Sequence, residues 1–85
     1  MDYDEHVLRR MRMGAVEYGD ASWQRPALEL IDEMLEECAD VGGWGKIAES
    51  KIMNRINRRM LKQAIKYAKL AYGVLWRLRS RIQRG

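Results

Sequence analysis

The sequence predicts an all-α fold: a three- or four-helix bundle with a long basic carboxy-terminal helical region, completed by dimerisation. Three observations carry that expectation. Residues 26–41 alternate apolar and acidic side chains with the period of a helix. Residues 46–84 contain no proline and a single glycine. No stretch shows the two-residue alternation of a strand, and there is no internal repeat or low-complexity segment. With 85 residues the chain makes one domain at most, with a modest core. It divides into an amino-terminal helix (1–19), an acidic helix (26–41) and a basic helical region (46–84).

In the first helix Tyr3, Val7, Leu8, Met11, Ala15 and Tyr18 recur at three- and four-residue spacings, with Arg9, Arg10 and Arg12 away from that side. Asp2, Asp4 and Glu5 suit the positive end of the helix dipole. Gly14 weakens the middle of the helix, and Gly19-Asp20 marks its end. His6 has no second histidine or cysteine to join it in a metal site, so it reads as a solvated or partly packed side chain.

Residues 20–26 form a connector. Pro26 suits the first helical turn, Ser22 is a cap if the helix begins early, and Trp23 is expected to pin the connector to the core.

The acidic helix is the most ordered pattern in the chain. At about 100° per residue, Glu29, Glu33, Glu36 and Asp40 line one stripe, flanked by Asp32 and Glu37. The opposite side carries Leu28, Ile31, Leu35, Cys38 and Ala39, widened by Leu30, Met34 and Val41. Like charges four residues apart cost a few tenths of a kcal/mol per pair. Solvent and salt, a basic partner surface or a divalent cation are the three candidates to offset that repulsion.

Gly42, Gly43 and Gly45 follow, each costing a helix about 1 kcal/mol relative to alanine, so a break is expected there. The apolar phase Cys38, Val41, Gly45, Ala48, Ile52 nonetheless passes through without slipping. A continuous helix with a flat patch for a closely approaching neighbour is the alternative.

Beyond Lys46, Met53, Ile56, Met60, Ala64, Tyr67, Ala71, Val74 and Leu78 follow one three-four alternation. Leu61, Ile65, Ala68, Tyr72, Leu75 and Ile82 run beside it. A single helix over this region would extend about 60 Å, too long for a lone compact domain. The chain therefore turns, with Asn54–Arg59 the expected place, or packs against a second copy.

Cys38 is the only cysteine, which excludes an internal disulfide and fits a small core residue in a reducing cytoplasm. The acidic start MDYDEH argues against a signal peptide, and no run of eighteen apolar residues occurs, so a soluble, cytoplasmic protein with no membrane partner is expected. Charge is strongly segregated. Residues 1–49 hold all twelve acids and five Lys/Arg, a net −7, and residues 50–85 hold eleven Lys/Arg and no acid, a net +11. Such asymmetry implies an anionic partner for the second part, or pairing of the two parts within or between chains.

Carboxylates three and four apart on one helix can converge on magnesium, which takes oxygen ligands and is held by a few carboxylates plus waters and phosphates. Here Glu33 and Glu36 are followed at once by Glu37 and Asp40. The segment from Glu17 to Trp44, with EYGD-x-SW, a proline, then L-x-L-I-D-E-M-L-E-E-C-A-D-V and an aromatic residue, resembles the MazG-like all-α nucleotide pyrophosphohydrolases, in their small phage-type form. The resemblance covers about a third of the chain. It implies magnesium as cofactor and a nucleoside triphosphate as substrate, hydrolysed to monophosphate and pyrophosphate. Glu37 and Asp40 match the family's E-x-x-D pair. Asp32, Glu33 and Glu36 match its E-E-x-x-E motif with aspartate in place of the leading glutamate. The family sets these motifs on antiparallel helices, whereas here both fall on one. A homodimer then supplies the missing half, or the site is degenerate and the chain is no enzyme.

On this reading Glu33, Glu36, Glu37 and Asp40 bind the metal, with one carboxylate free to orient water. Lys46 or Lys51 meets the triphosphate, and Trp44 either stacks on a base or joins the core. The competing reading of the carboxylates is a solvated acidic face.

The rival function belongs to another class. The acid-free carboxy-terminal part, with a stripe including Lys51, Arg55, Arg58, Arg59, Lys62, Lys66 and Lys69, has the footprint of a small phage-type interaction module that binds nucleic acid or an acidic host protein. No zinc-finger spacing, RNP-like strand or helix-turn-helix signature specifies base readout. The plainer reading is that these cations solvate the helix or answer the acidic helix across an interface.

Overall fold

A computed structural model describes residues 1–85: α1 (Tyr3–Tyr18), α2 (Ala27–Glu49) and α3 (Arg55–Arg84), with a short 3₁₀ turn at Ala21–Gln24 and no strand. The all-α expectation holds, with three helices.

Asp2 starts α1 by accepting a 2.8 Å hydrogen bond from the Glu5 N–H, filling one of the donors that a first helical turn leaves open. The helix runs through Gly14 and stops at Gly19. There φ reaches 63°, a left-handed value natural to glycine, and the Gly19 N–H closes on the Ala15 carbonyl at 2.8 Å. No side chain of α1 is buried, and α2 with α3 is the one helix pair packed along its length.

The connector differs from expectation in two respects. Trp23 is 77% exposed and pins nothing to a core. Ser22 lies inside the 3₁₀ turn and does not cap α2, whose N-cap is Pro26 with no side-chain hydrogen bond. Arg25 takes over the work of anchoring the helix start: its guanidinium donates to Glu29 at 3.0 Å and to Glu33 at 3.2 Å.

The expected break at Gly42–Gly45 does not occur. α2 continues to Glu49, so the acidic helix extends beyond Val41 and residues 46–49 belong to it rather than to the basic region. The reason lies in α3. Gly45 is buried, and a Cβ placed on it would stand 2.5 Å from Ile65 Cδ1 and 2.7 Å from its Cγ1. Without side-chain bulk at 45 the Ile65 side chain packs directly on the α2 backbone, and packing of this kind outweighs the intrinsic helix penalty of the glycines.

The reversal falls at residues 50–54, just ahead of the expected Asn54–Arg59. The Ser50 hydroxyl donates to the Ile47 carbonyl at 2.6 Å, and the Asn54 side chain accepts from the Asn57 N–H at 3.0 Å to cap α3. α3 then runs 30 residues, about 45 Å at a rise of 1.5 Å per residue.

α2 and α3 form an antiparallel hairpin, as the pairings Glu49–Arg58, Gly45–Ile65 and Asp32–Arg79 show. Ile31, Leu35 and Leu75 make its core, with the half-buried Cys38 packed against them. Of the two apolar rows of α3, the one containing Leu61, Ile65, Ala68 and Leu75 turns toward α2. The longer row, with Ile56, Met60, Tyr67, Val74 and Leu78, faces outward and is exposed. Only four of 85 residues are buried. The radius of gyration is 15.8 Å, against about 12 Å for a compact domain of this length.

Candidate functional site

Seven carboxylates project from α2, and Arg25 together with α3 sorts them into two sets. Arg79, in the last turns of α3, donates from Nε to Asp32 Oδ1 at 2.6 Å and from Nη2 to Oδ2 at 3.3 Å. Its guanidinium also lies 5.6 Å from the centre of the Trp76 ring, which meets Tyr72 edge-on at 6.3 Å between centroids. An arginine fork between a carboxylate and an aromatic face is well oriented. The hydrogen bond from Arg79 holds the Asp32 carboxyl below its ordinary 3.8, against a smaller opposing effect of burial. At the turn, Glu49 accepts from Arg58 at 3.0 Å and has Lys62 at 3.8 Å. Glu29 and Glu33 share Arg25, whose pKa is raised, first by the Glu33 hydrogen bond.

Glu36, Glu37 and Asp40 form the second set. All three are exposed and have no cation within 4.0 Å. Glu37 and Asp40 stand on the side of α2 turned away from Ile31 and Leu35, hence away from α3, whereas Glu36 borders a hollow shared with Tyr72 and Trp76 of α3. Of the four carboxylates expected to hold metal, Glu33 is therefore held by an arginine and three are free. Within the single chain, no three His, Cys, Asp or Glu side chains come together in a group that could hold a metal ion.

Trp44 is 72% exposed, one turn beyond Asp40, so a place in the core is overturned. Lys46 is exposed near the end of α2 and Lys51 in the following turn, neither with a carboxylate partner.

On α3 the expected cations also divide. Arg58 is half-buried on Glu49, and Lys62 leans toward the same carboxylate. Arg55, Arg59 and Lys66 are exposed and unpaired, as are Lys69 and Arg77 further along. Met53, Arg55, Arg58, Arg59 and Lys62 line one shallow hollow, and Lys66, Lys69, Leu70, Gly73 and Arg77 line a second. The acid-free stripe is thus continuous along the outer side of the helix.

Arg25, Arg79 and Trp76 were not legible as partners of the acidic helix. The segregation of charge implied that cations of the second part answer acids of the first. Which pair meets depends on where the chain reverses and on the register of the hairpin. No helix of the chain is long and apolar enough to cross a membrane. No family model, curated protein or solved structure matches the chain.

Proposed function

We propose that this chain is a MazG-like, magnesium-dependent nucleotide-binding protein. One observation supports it above the others. Of the acids on α2, those left free of ion pairs are Glu36, Glu37 and Asp40, and two of these form the E-x-x-D pair that matches the family motif best. Free carboxylates one turn apart are the oxygen donors magnesium takes, with waters and phosphates filling its remaining positions. The exposed Trp44 has an open ring face for a base, and Lys46 and Lys51 have free ammonium groups for phosphate. Asp32 and Glu33 are held by arginines, so a full first motif is not free in one chain. Nucleotide binding is accordingly the core of the reading, and hydrolysis would need carboxylates beyond those one chain leaves free.

The test is a melting curve with millimolar magnesium and a panel of nucleoside triphosphates. Stabilisation that needs metal and nucleotide together, and disappears in Asp40→Ala and Glu37→Ala with helix content unchanged, supports the reading. No shift with any combination removes it.

A second reading rests on the unpaired stripe Arg55, Arg59, Lys66, Lys69 and Arg77: an interaction module for an anionic polymer such as nucleic acid. Its binding would fall steeply with salt, survive Asp40→Ala, and be lost when Arg55, Arg59 and Lys62 are neutralised together.

A further inference from the structure

We propose that a second copy of this chain covers the apolar underside of the α2–α3 hairpin, giving a four-helix bundle in which each α2 lies over the partner's α3. The face is defined by helix geometry. In two antiparallel helices turning 100° per residue, with Ile31 and Leu35 facing Leu75, one side of the pair receives Leu30, Met34 and Val41 from α2. Tyr67, Val74 and Leu78 from α3 come out on that same side. All six are exposed. The same construction sends Asp32, Ala39, Tyr72 and Trp76 to the opposite side, where these residues do line a common hollow.

The area at stake is that of a stable interface. The chain exposes 7627 Å², whereas a compact monomer of 10.0 kDa exposes about 5,200 Å². The excess of about 2,400 Å² is shared between the unburied α1 and the hairpin, and is about three times the roughly 800 Å² that each partner contributes to a standard complex. The chain's own α1 is a poor cover. Its 16 residues reach about 24 Å, against about 34 Å for the 23 residues of α2. Tethered at the start of α2, it would leave the turn end of the hairpin open. A second hairpin matches the first in length by identity.

Charge selects the orientation. α2 carries seven acids and one lysine, net −6, and α3 carries ten Lys/Arg and no acid, net +10. A two-fold axis parallel to the helices sets α2 over the partner's α3. An axis perpendicular to them would set α3 over α3 and bring two helices of +10 together. The parallel axis permits no sliding, so Met34 stands level with the partner's Val74 and Val41 with the partner's Tyr67. Glu37 and Asp40 then lie alongside the partner's Lys66. For the nucleotide reading, on which this one consequence rests, the partner's Lys66 joins Lys46 and Lys51 as a phosphate-binding cation beside Glu37 and Asp40.

The experiment uses the full chain without magnesium or nucleotide, so its outcome is separate from that of nucleotide binding. Sedimentation equilibrium should return twice 10.0 kDa at micromolar concentrations, and Tm should rise with protein concentration. Tyr67→Glu combined with Val74→Glu should weaken association about 100-fold, because it buries unpaired charge at the face. Val16→Glu on α1 should leave it unchanged. A single-chain mass at every concentration, with a flat Tm, overturns the pairing, as does a dimer that survives the double exchange. If the double variant fails to fold, the concentration dependence of the natural chain's Tm decides. Added salt should loosen the dimer, and a dimer that tightens with salt overturns the orientation.

Discussion

Gly45 of α2 and Ile65 of α3 meet across the hairpin: the Ile65 side chain fills the space that a Cβ on residue 45 would need. The missing carbon gives the Ile65 side chain its seat on α2, within the stretch of glycines that α2 runs through as helix.

Gly43 and Gly45 should respond differently to alanine. Nothing lies within 4 Å of a Cβ at Gly43, so Gly43→Ala should stabilise by up to about 1 kcal/mol through helix propensity alone. Gly45→Ala gains the same propensity but drives into Ile65, an overpacking worth about 1–3 kcal/mol, and should come out neutral to destabilising. Ile65→Val in the Gly45→Ala background should restore part of the loss. Urea midpoints of the four proteins check the set.

Leu75→Ala should cost roughly 2–5 kcal/mol, the range for removing a buried leucine. With three side chains in the core, that is a large share of the stability of a domain this size. Leu8→Ala in α1, where no side chain is buried, should change stability by less than about 0.5 kcal/mol.

The hairpin should loosen in acid through Asp32. Its carboxyl is held below 3.8 by Arg79, so the stabilisation is complete above that ordinary value and disappears as pH falls through the lower folded one. Asp32→Asn should lower Tm at neutral pH and flatten the fall in Tm between about pH 5 and about pH 2. The Asp32 side chain is 47% exposed, so water screens the pair and the effect should be modest.

Removal of residues 1–19 should leave the circular dichroism of the hairpin and its urea midpoint nearly unchanged. No side chain of α1 is buried, and α1 is not packed along either long helix. A large fall in the midpoint would mean that α1 packs on the hairpin in solution.

Much of the local structure was legible in the residues. Periodicity located α1, α2 and α3. Gly19 ended the first helix as its backbone freedom predicts, and Asn54 lies at the edge of the window where the chain was expected to turn. The acidic stripe of α2 could be listed residue by residue, because a helix repeats at a known angle. The division of that stripe into paired and free carboxylates could not. It depends on Arg79 arriving 47 positions later at Asp32, and on Arg25 bending over the first turn of α2. Trp23 and Trp44 read as core residues because large aromatics usually find one, and this hairpin is too thin to enclose them.

By itself the sequence determined helix class, the ends of α1, and the separation of acidic from basic faces, since each follows from side-chain period, capping chemistry and charge along the chain. The tertiary structure decided the rest: that α2 continues through its glycines, which apolar row of α3 meets α2, and which carboxylates stay free. Those outcomes turn on how two helices of 23 and 30 residues settle against one another. Burial energy and steric fit across that contact outweigh local preferences of about 1 kcal/mol per residue, and neither is written in any one segment alone.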